Sequence, residues 1–114
     1  MGNTYELPSL GARSDTVTVS GMSSGSFMSM NLHVTMSDTI KGAGLMFGGS
    51  YWTPGFFNDR VVFDNKDLAT LTQESINKAE EYNSSGEISD PSNLRGDPVY
   101  ILSGTQDWTV RSYL

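Results

Sequence analysis

The sequence predicts an α/β fold: three parallel strands joined by two crossover helices in the order β-α-β-α-β, forming an incomplete sheet. Three observations predict it. A β-branched run, Thr16-Val17-Thr18-Val19, leads directly into a helix-type segment. An apolar run bounded by glycines fills 42–49, and Pro98-Val99-Tyr100-Ile101-Leu102 forms a third β-type run. The long separations rule out tight hairpins and favour parallel pairing through crossovers.

Residues 1–15 read as an irregular lead containing Pro8 and Gly11. The first strand covers 16–20. A helix is expected over 24–37, where Phe27, Met28, Met30, Leu32, Val34 and Met36 place apolar groups on more than one side, the pattern of a helix enclosed in a larger body. Ser24 and Ser26 suit its N-terminal end. The run Gly42-Ala43-Gly44-Leu45-Met46-Phe47-Gly48-Gly49 suits a central strand covered on both faces. Residues 50–65 are aromatic and loop-like, with Tyr51, Trp52, Pro54, Phe56, Phe57 and Phe63. An amphipathic helix is expected over 66–82, where Leu68, Leu71, Ile76 and Ala79 recur near helical spacing, and a polar loop over 83–95. Three strands and two helices do little to cover a parallel sheet's faces and edges. The 114 residues are therefore expected to be a piece of a larger fold, or to need a partner, with self-association one way to cover the sheet.

Composition narrows the function. Hydrophobic residues make up 37% and charged residues 18%, so the chain reads as globular. Its formal net charge is −6 and its seven Lys and Arg are scattered, which argues against nucleic acid or an anionic membrane as a partner. No run approaches the roughly 20 apolar residues that span a bilayer. The chain has no cysteine, so disulfides and thiolate chemistry are excluded. Asn58, Asp59, Asp64, Asn65 and Asp67 lack the spacing of a calcium loop, and no metal site is expected. Met1–Pro8 has neither the basic nor the apolar part of a signal peptide. Asn83-Ser84-Ser85 is a glycosylation sequon, relevant only to a secreted chain.

The chemistry concentrates in Gly21-Met22-Ser23-Ser24-Gly25, a G-x-S-x-G pentapeptide between strand and helix. In that setting the serine occupies a tight turn at the C-terminal edge of a parallel sheet, beside a helix N-terminus. Ser23 is the candidate nucleophile, and the Ser24 N–H is the first oxyanion donor. Gly21 and Gly25 are both expected to be needed because a side chain at either would crowd the turn. The competing reading is a Ser/Gly turn that caps a helix. Asp107, just beyond the third strand, is the candidate acid, in the place where ligands meet parallel sheets. Its competing role is an Asx turn ahead of Trp108. His33, the single histidine, lies ten residues beyond Ser23 inside the expected helix, displaced by roughly 15 Å along its axis. A base must come within about 3.2 Å. His33 is therefore read as a packing or surface residue. Tyr51, Trp52 and Trp108, with Phe56 and Phe57, either line an apolar cleft or belong to the core.

Together these segments resemble extracellular poly(3-hydroxybutyrate) depolymerases, and among them the compact, single-domain fungal type. Val17-Thr18-Val19-Ser20-Gly21-Met22-Ser23-Ser24-Gly25-Ser26-Phe27-Met28 is similar to the family's V-S-G-x-S-S-G-G-[FY]-M stretch, with Ser26 in place of the second adjacent glycine. Ser37-Asp38 resembles its Y-S-D segment, and Phe47-Gly48-Gly49-Ser50-Tyr51 its A-G-G-P-Y segment. Ser103-Gly104-Thr105-Gln106-Asp107-Trp108-Thr109-Val110 is similar to its G-x-x-D-x-x-V acid motif.

The resemblance implies a partial α/β-hydrolase (polyester depolymerase-like) domain over 1–114. It implies ester hydrolysis through a Ser–Asp–His triad, secretion, and no metal or organic cofactor. By motif, Ser23 corresponds to the nucleophile, Ser24 to an oxyanion donor and Asp107 to the triad acid. The family's histidine falls beyond position 114, so the chain is expected to stop before its base. The implied substrate is a 3-hydroxybutyrate polyester or a related short-chain ester. The resemblance implies an extracellular location; the chain complete as written would be cytoplasmic. The alternatives are an inactive remnant or binding module, and an esterase acting on acetylated or feruloylated polysaccharide.

Overall fold

The computed structural model describes residues 5–52 and 68–110. The expected aromatic loop beyond Trp52, with Phe56, Phe57 and Phe63, the acidic cluster through Asp67, and the first two residues of the second expected helix lie outside the described residues. The elements follow the expected order: β1 Val17–Met22, α1 Ser24–Thr35, β2 Ile40–Met46, α2 Leu68–Ser84 and β3 Val99–Leu102. The strands form one parallel sheet in the order β1-β2-β3, with β2 in the centre. It is an α/β fold with an incomplete sheet. The loop expected over 83–95 contains a 3-10 turn at Pro91–Leu94, started by Asp90 Oδ1 accepting from the Ser92 N–H at 2.8 Å.

Register brings the strand ends level. Met22 pairs with Met46, and Met46 with Leu102, so all three strands finish at one edge. The central strand buries Ile40, Ala43 and Leu45. Both helices lie on one side of the sheet, where α1, α2 and Val99 line a common cavity. On the other face Thr18, Ser20, Gly42, Gly44, Pro98 and Tyr100 line a shallow open groove.

The packing of α1 differs from the expectation. Of the apolar residues on several sides the helix buries only Val34: Met28 is 61% and the C-cap Met36 44% exposed, while the other buried positions are Ser26, Ser29 and His33. The cause is the close approach of the helix to β1. A Cβ on Gly21 would run into the carbonyl carbon and oxygen of Gly25 and stand 2.8 Å from the Ser26 nitrogen. At that separation the contact face admits small side chains. The expectation for Gly25 needs correcting, because a Cβ there meets nothing within 4 Å. Gly25 contributes its backbone to the contact, and Gly21 contributes the missing side chain.

Ser26 carries a cost of this packing. It is 1% exposed, and its hydroxyl has no hydrogen-bond partner among the described residues. It presses on Gly48, where a Cβ would overlap Ser26 Oγ. Ser26→Ala keeps the Cβ contact and removes an unsatisfied buried hydroxyl, so it should stabilise the protein by about 1 kcal/mol. A rise in the urea midpoint with unchanged slope is the expected result.

A second polar set ties the α1–β2 turn to the loop before β3. Ser89 Oγ donates to Asp38 at 2.7 Å, and the buried Ser37 Oγ donates to the Asp90 carbonyl at 3.0 Å. The Ser89 hydroxyl holds the Asp38 carboxyl below its ordinary value of 3.8. A carboxyl lowered in the fold contributes stability above its unfolded value and loses it as pH falls through the folded value. Ser89→Ala should therefore be less stable than the parent at neutral pH. That difference should close below about pH 3.8, as read from melting temperature against pH.

Candidate active site

Ser23 follows β1 at the shared strand edge, as the N-cap of α1, with φ 55° and ψ −119°. A capping serine normally has extended backbone and accepts a helix N–H on its hydroxyl. Ser23 has neither feature: its φ is positive and its side chain makes no cap bond. Its backbone is fastened instead. The Ser23 N–H donates to the Met46 carbonyl at 2.9 Å, and the Ser23 carbonyl accepts from Ser26 at 2.9 Å and Phe27 at 3.2 Å. The exposed hydroxyl thus stands at a helix N-terminus without serving the helix. Strain of this kind costs roughly 1–3 kcal/mol and persists where its surroundings over-determine it.

The Ser23 carbonyl takes the Ser26 and Phe27 amides, so the N–H groups of Ser24 and Gly25 remain at the start of α1 without a partner among the described residues. They carry the positive end of the helix dipole beside the Ser23 side chain. An oxyanion forming on a group bonded to Ser23 would meet that field.

Asp107 lies in the loop after β3, beyond the same edge. Oδ1 accepts from the Thr109 and Val110 N–H groups, each at 2.9 Å, which is the turn read from the sequence. Oδ2 takes no hydrogen bond among the described residues, so the turn fixes the carboxylate and leaves one oxygen for another donor. The ends of β1 and β3 flank β2, two strand spacings or about 10 Å apart. An imidazole bonded at each nitrogen, with side chains reaching inward from both ends, spans a gap of that order.

His33 is elsewhere. It is buried on α1, and its Nε2 lies 3.0 Å from Asp97 Oδ2, just ahead of β3. The pair joins the helix to the strand entry, a packing role that agrees with the distance argument. Asp97 is a partner the sequence did not suggest, 64 residues away.

The three aromatic candidates separate. Trp108 is 81% exposed beside Asp107, at the strand edge. Tyr51 is buried and lines the cavity of about 440 Å3 between α1 and α2, together with His33, Val34, Ile76 and Leu94. That burial raises its phenol pKa, helped by Tyr82 and Glu87. Trp52, at φ 49°, donates its N–H to Asn31 Oδ1 at 3.3 Å and lies under Lys78 Nζ, 4.9 Å from the ring centre. The structure brings Ser23, Ser24, Asp107 and Trp108 to one sheet edge and places Tyr51 and Trp52 against the helices.

Among the described residues, no group of three or more His, Cys, Asp and Glu is arranged to hold a metal ion. No helix there is long and apolar enough to cross a membrane.

Over 111 residues, 93% of its length, the chain is 35% identical to a poly(3-hydroxybutyrate) depolymerase of Delftia acidovorans. It spans 22% of that protein's length. No protein-family model matches the chain, and no solved structure matches it.

Proposed function

We propose that this chain carries the nucleophile and the acid of a serine esterase acting on 3-hydroxybutyrate polyesters or related short-chain esters. The observation that carries the reading is the Ser23 hydroxyl, exposed at a helix N-terminus on strained backbone and not used as a cap. The similarity to a polyester depolymerase supports the substrate class.

In this reading Ser23 Oγ attacks the ester carbonyl and gives its proton to a base. The carbonyl oxygen takes the negative charge against the Ser24 N–H. Collapse of the tetrahedral intermediate breaks the bond to the leaving alkoxide, which takes the proton back from the base. The resulting acyl-serine is hydrolysed by water along the same route, releasing the hydroxyacid. Asp107 orients the base through Oδ2, and Trp108 offers an apolar surface beside it. His33 is committed to Asp97, so the base is assigned to a group outside the described residues, a histidine by the motif resemblance. The reaction needs no metal or organic cofactor, and we place it outside the cell.

The test is product release. The protein, extended to carry the histidine base, is incubated with 3-hydroxybutyrate oligomers and, separately, with acetylated xylan. Release of 3-hydroxybutyrate that Ser23→Ala abolishes, without release of acetate from xylan, is expected. Acetate alone would transfer the site to polysaccharide esters. Release of neither product while the oligomer binds would make this chain a binding module.

A further inference from the structure

We infer that Phe47 selects the substrate class by giving the leaving alcohol an apolar floor between Ser23 and Asp107. The inference rests on the reading of Ser23 as nucleophile. Phe47 is the first residue past the central strand. The peptide group joining Met46 to Phe47 is bonded on both sides: its carbonyl accepts from the Ser23 N–H at 2.9 Å, and its N–H donates to the Leu102 carbonyl at 2.9 Å. One peptide therefore links the nucleophile turn to the strand that leads to Asp107.

Phe47 also has φ 54°, a left-handed backbone rare for a bulky residue. The next residue helps to fix it, because the Gly48 backbone is pressed against Ser26. The ring is only partly buried, and it leans towards the loop after β3. Its Cε1 stands 4.0 Å from the place a Cβ on Gly104 would occupy, and Asp107 Cβ is 3.6 Å from that same point.

The position decides the role. Phe47 follows the end of β2, between the strand ends that lead to Ser23 and to Asp107. An alkoxide leaving the Ser23 adduct towards Asp107 therefore leaves over Phe47. An aromatic floor receives the hydrocarbon part of a hydroxyacid ester. It offers no partner to the hydroxyls of a sugar, which would lose their water there. The site should accordingly prefer polyester-type alcohols to carbohydrate alcohols.

The experiment reads protection of Ser23. 4-Nitrophenyl acetate transfers its acetyl group to Ser23, releasing nitrophenoxide, and the acetylated peptide is followed by mass spectrometry. A soluble trimer of 3-hydroxybutyrate or monoacetylated xylobiose, which keeps its other hydroxyls, is added as competitor. The trimer is expected to protect the parent, and Phe47→Gly, which suits the backbone at φ 54°, should weaken that protection by about tenfold. Phe47→Leu should keep most of it, and weak protection by the sugar ester should be unchanged in all three proteins. Equal protection of the parent and Phe47→Gly by the trimer overturns the inference, as does a parent that only the sugar ester protects. A parent in which Ser23 is not acetylated removes the nucleophile reading, and the inference falls with it.

Discussion

Gly21→Ala should destabilise the protein by about 3 kcal/mol or more, while Gly25→Ala, four residues away in the same pentapeptide, should stabilise it by up to about 1 kcal/mol. The contrast follows from where the two Cβ atoms would go. At position 21 the new methyl enters the space of the Gly25 carbonyl group, and its neighbours are backbone atoms that no rotamer change can move. Relief requires α1 to lift from β1, which would expose the buried Ser26 and Ser29. At position 25 the methyl meets nothing within 4 Å, and alanine is the better helix former. Urea unfolding of the two variants beside the parent measures both values. Similar losses in the two would mean that α1 does not sit as close to β1 as described.

Ser23→Gly should raise stability by about 1 kcal/mol and abolish acyl transfer. At φ 55° glycine adopts the backbone without the steric cost serine bears, and no cap bond is lost because the hydroxyl makes none. Serine at an ordinary cap would show the opposite sign, losing a few tenths of a kcal/mol on change to glycine. Thermal melts of Ser23→Gly therefore separate a turn that caps a helix from one that holds a hydroxyl out for chemistry. A more stable, inactive variant is what a strained functional residue produces.

The strands and their order were legible because β-branched and apolar runs mark them locally. Their ends were less so: β1 runs on through Gly21 and Met22, where the pentapeptide suggested the turn had already begun. The contact face of α1 was not legible. Hydropathy points to Met28 and Met36, whereas the face is chosen by how near the strand lies, and that appears only in the Gly21–Gly25 approach. The His33–Asp97 pair was hidden for a related reason, since nothing local to either residue announces a partner 64 positions away. The left-handed conformations of Ser23, Phe47 and Trp52 leave no sign in residue type, because the usual mark of such a backbone is glycine. At the candidate site, Ser23 and Asp107 were legible from their places after strands. The division of labour within the Asp107 carboxylate, with Oδ1 in the turn and Oδ2 open, needed the backbone donors of Thr109 and Val110 in place.

The most direct measurement is the site of acylation. Activated aryl esters carry a good leaving group, so mass analysis reads even one slow acylation of a serine beside an oxyanion donor. Incubation with 4-nitrophenyl butyrate, followed by intact-mass and peptide analysis, should give a single butyryl group on Ser23, absent from Ser23→Ala and unaffected by His33→Gln. A butyryl group spread over lysines, or one that forms equally in Ser23→Ala, would contradict the assignment of Ser23 as the nucleophile.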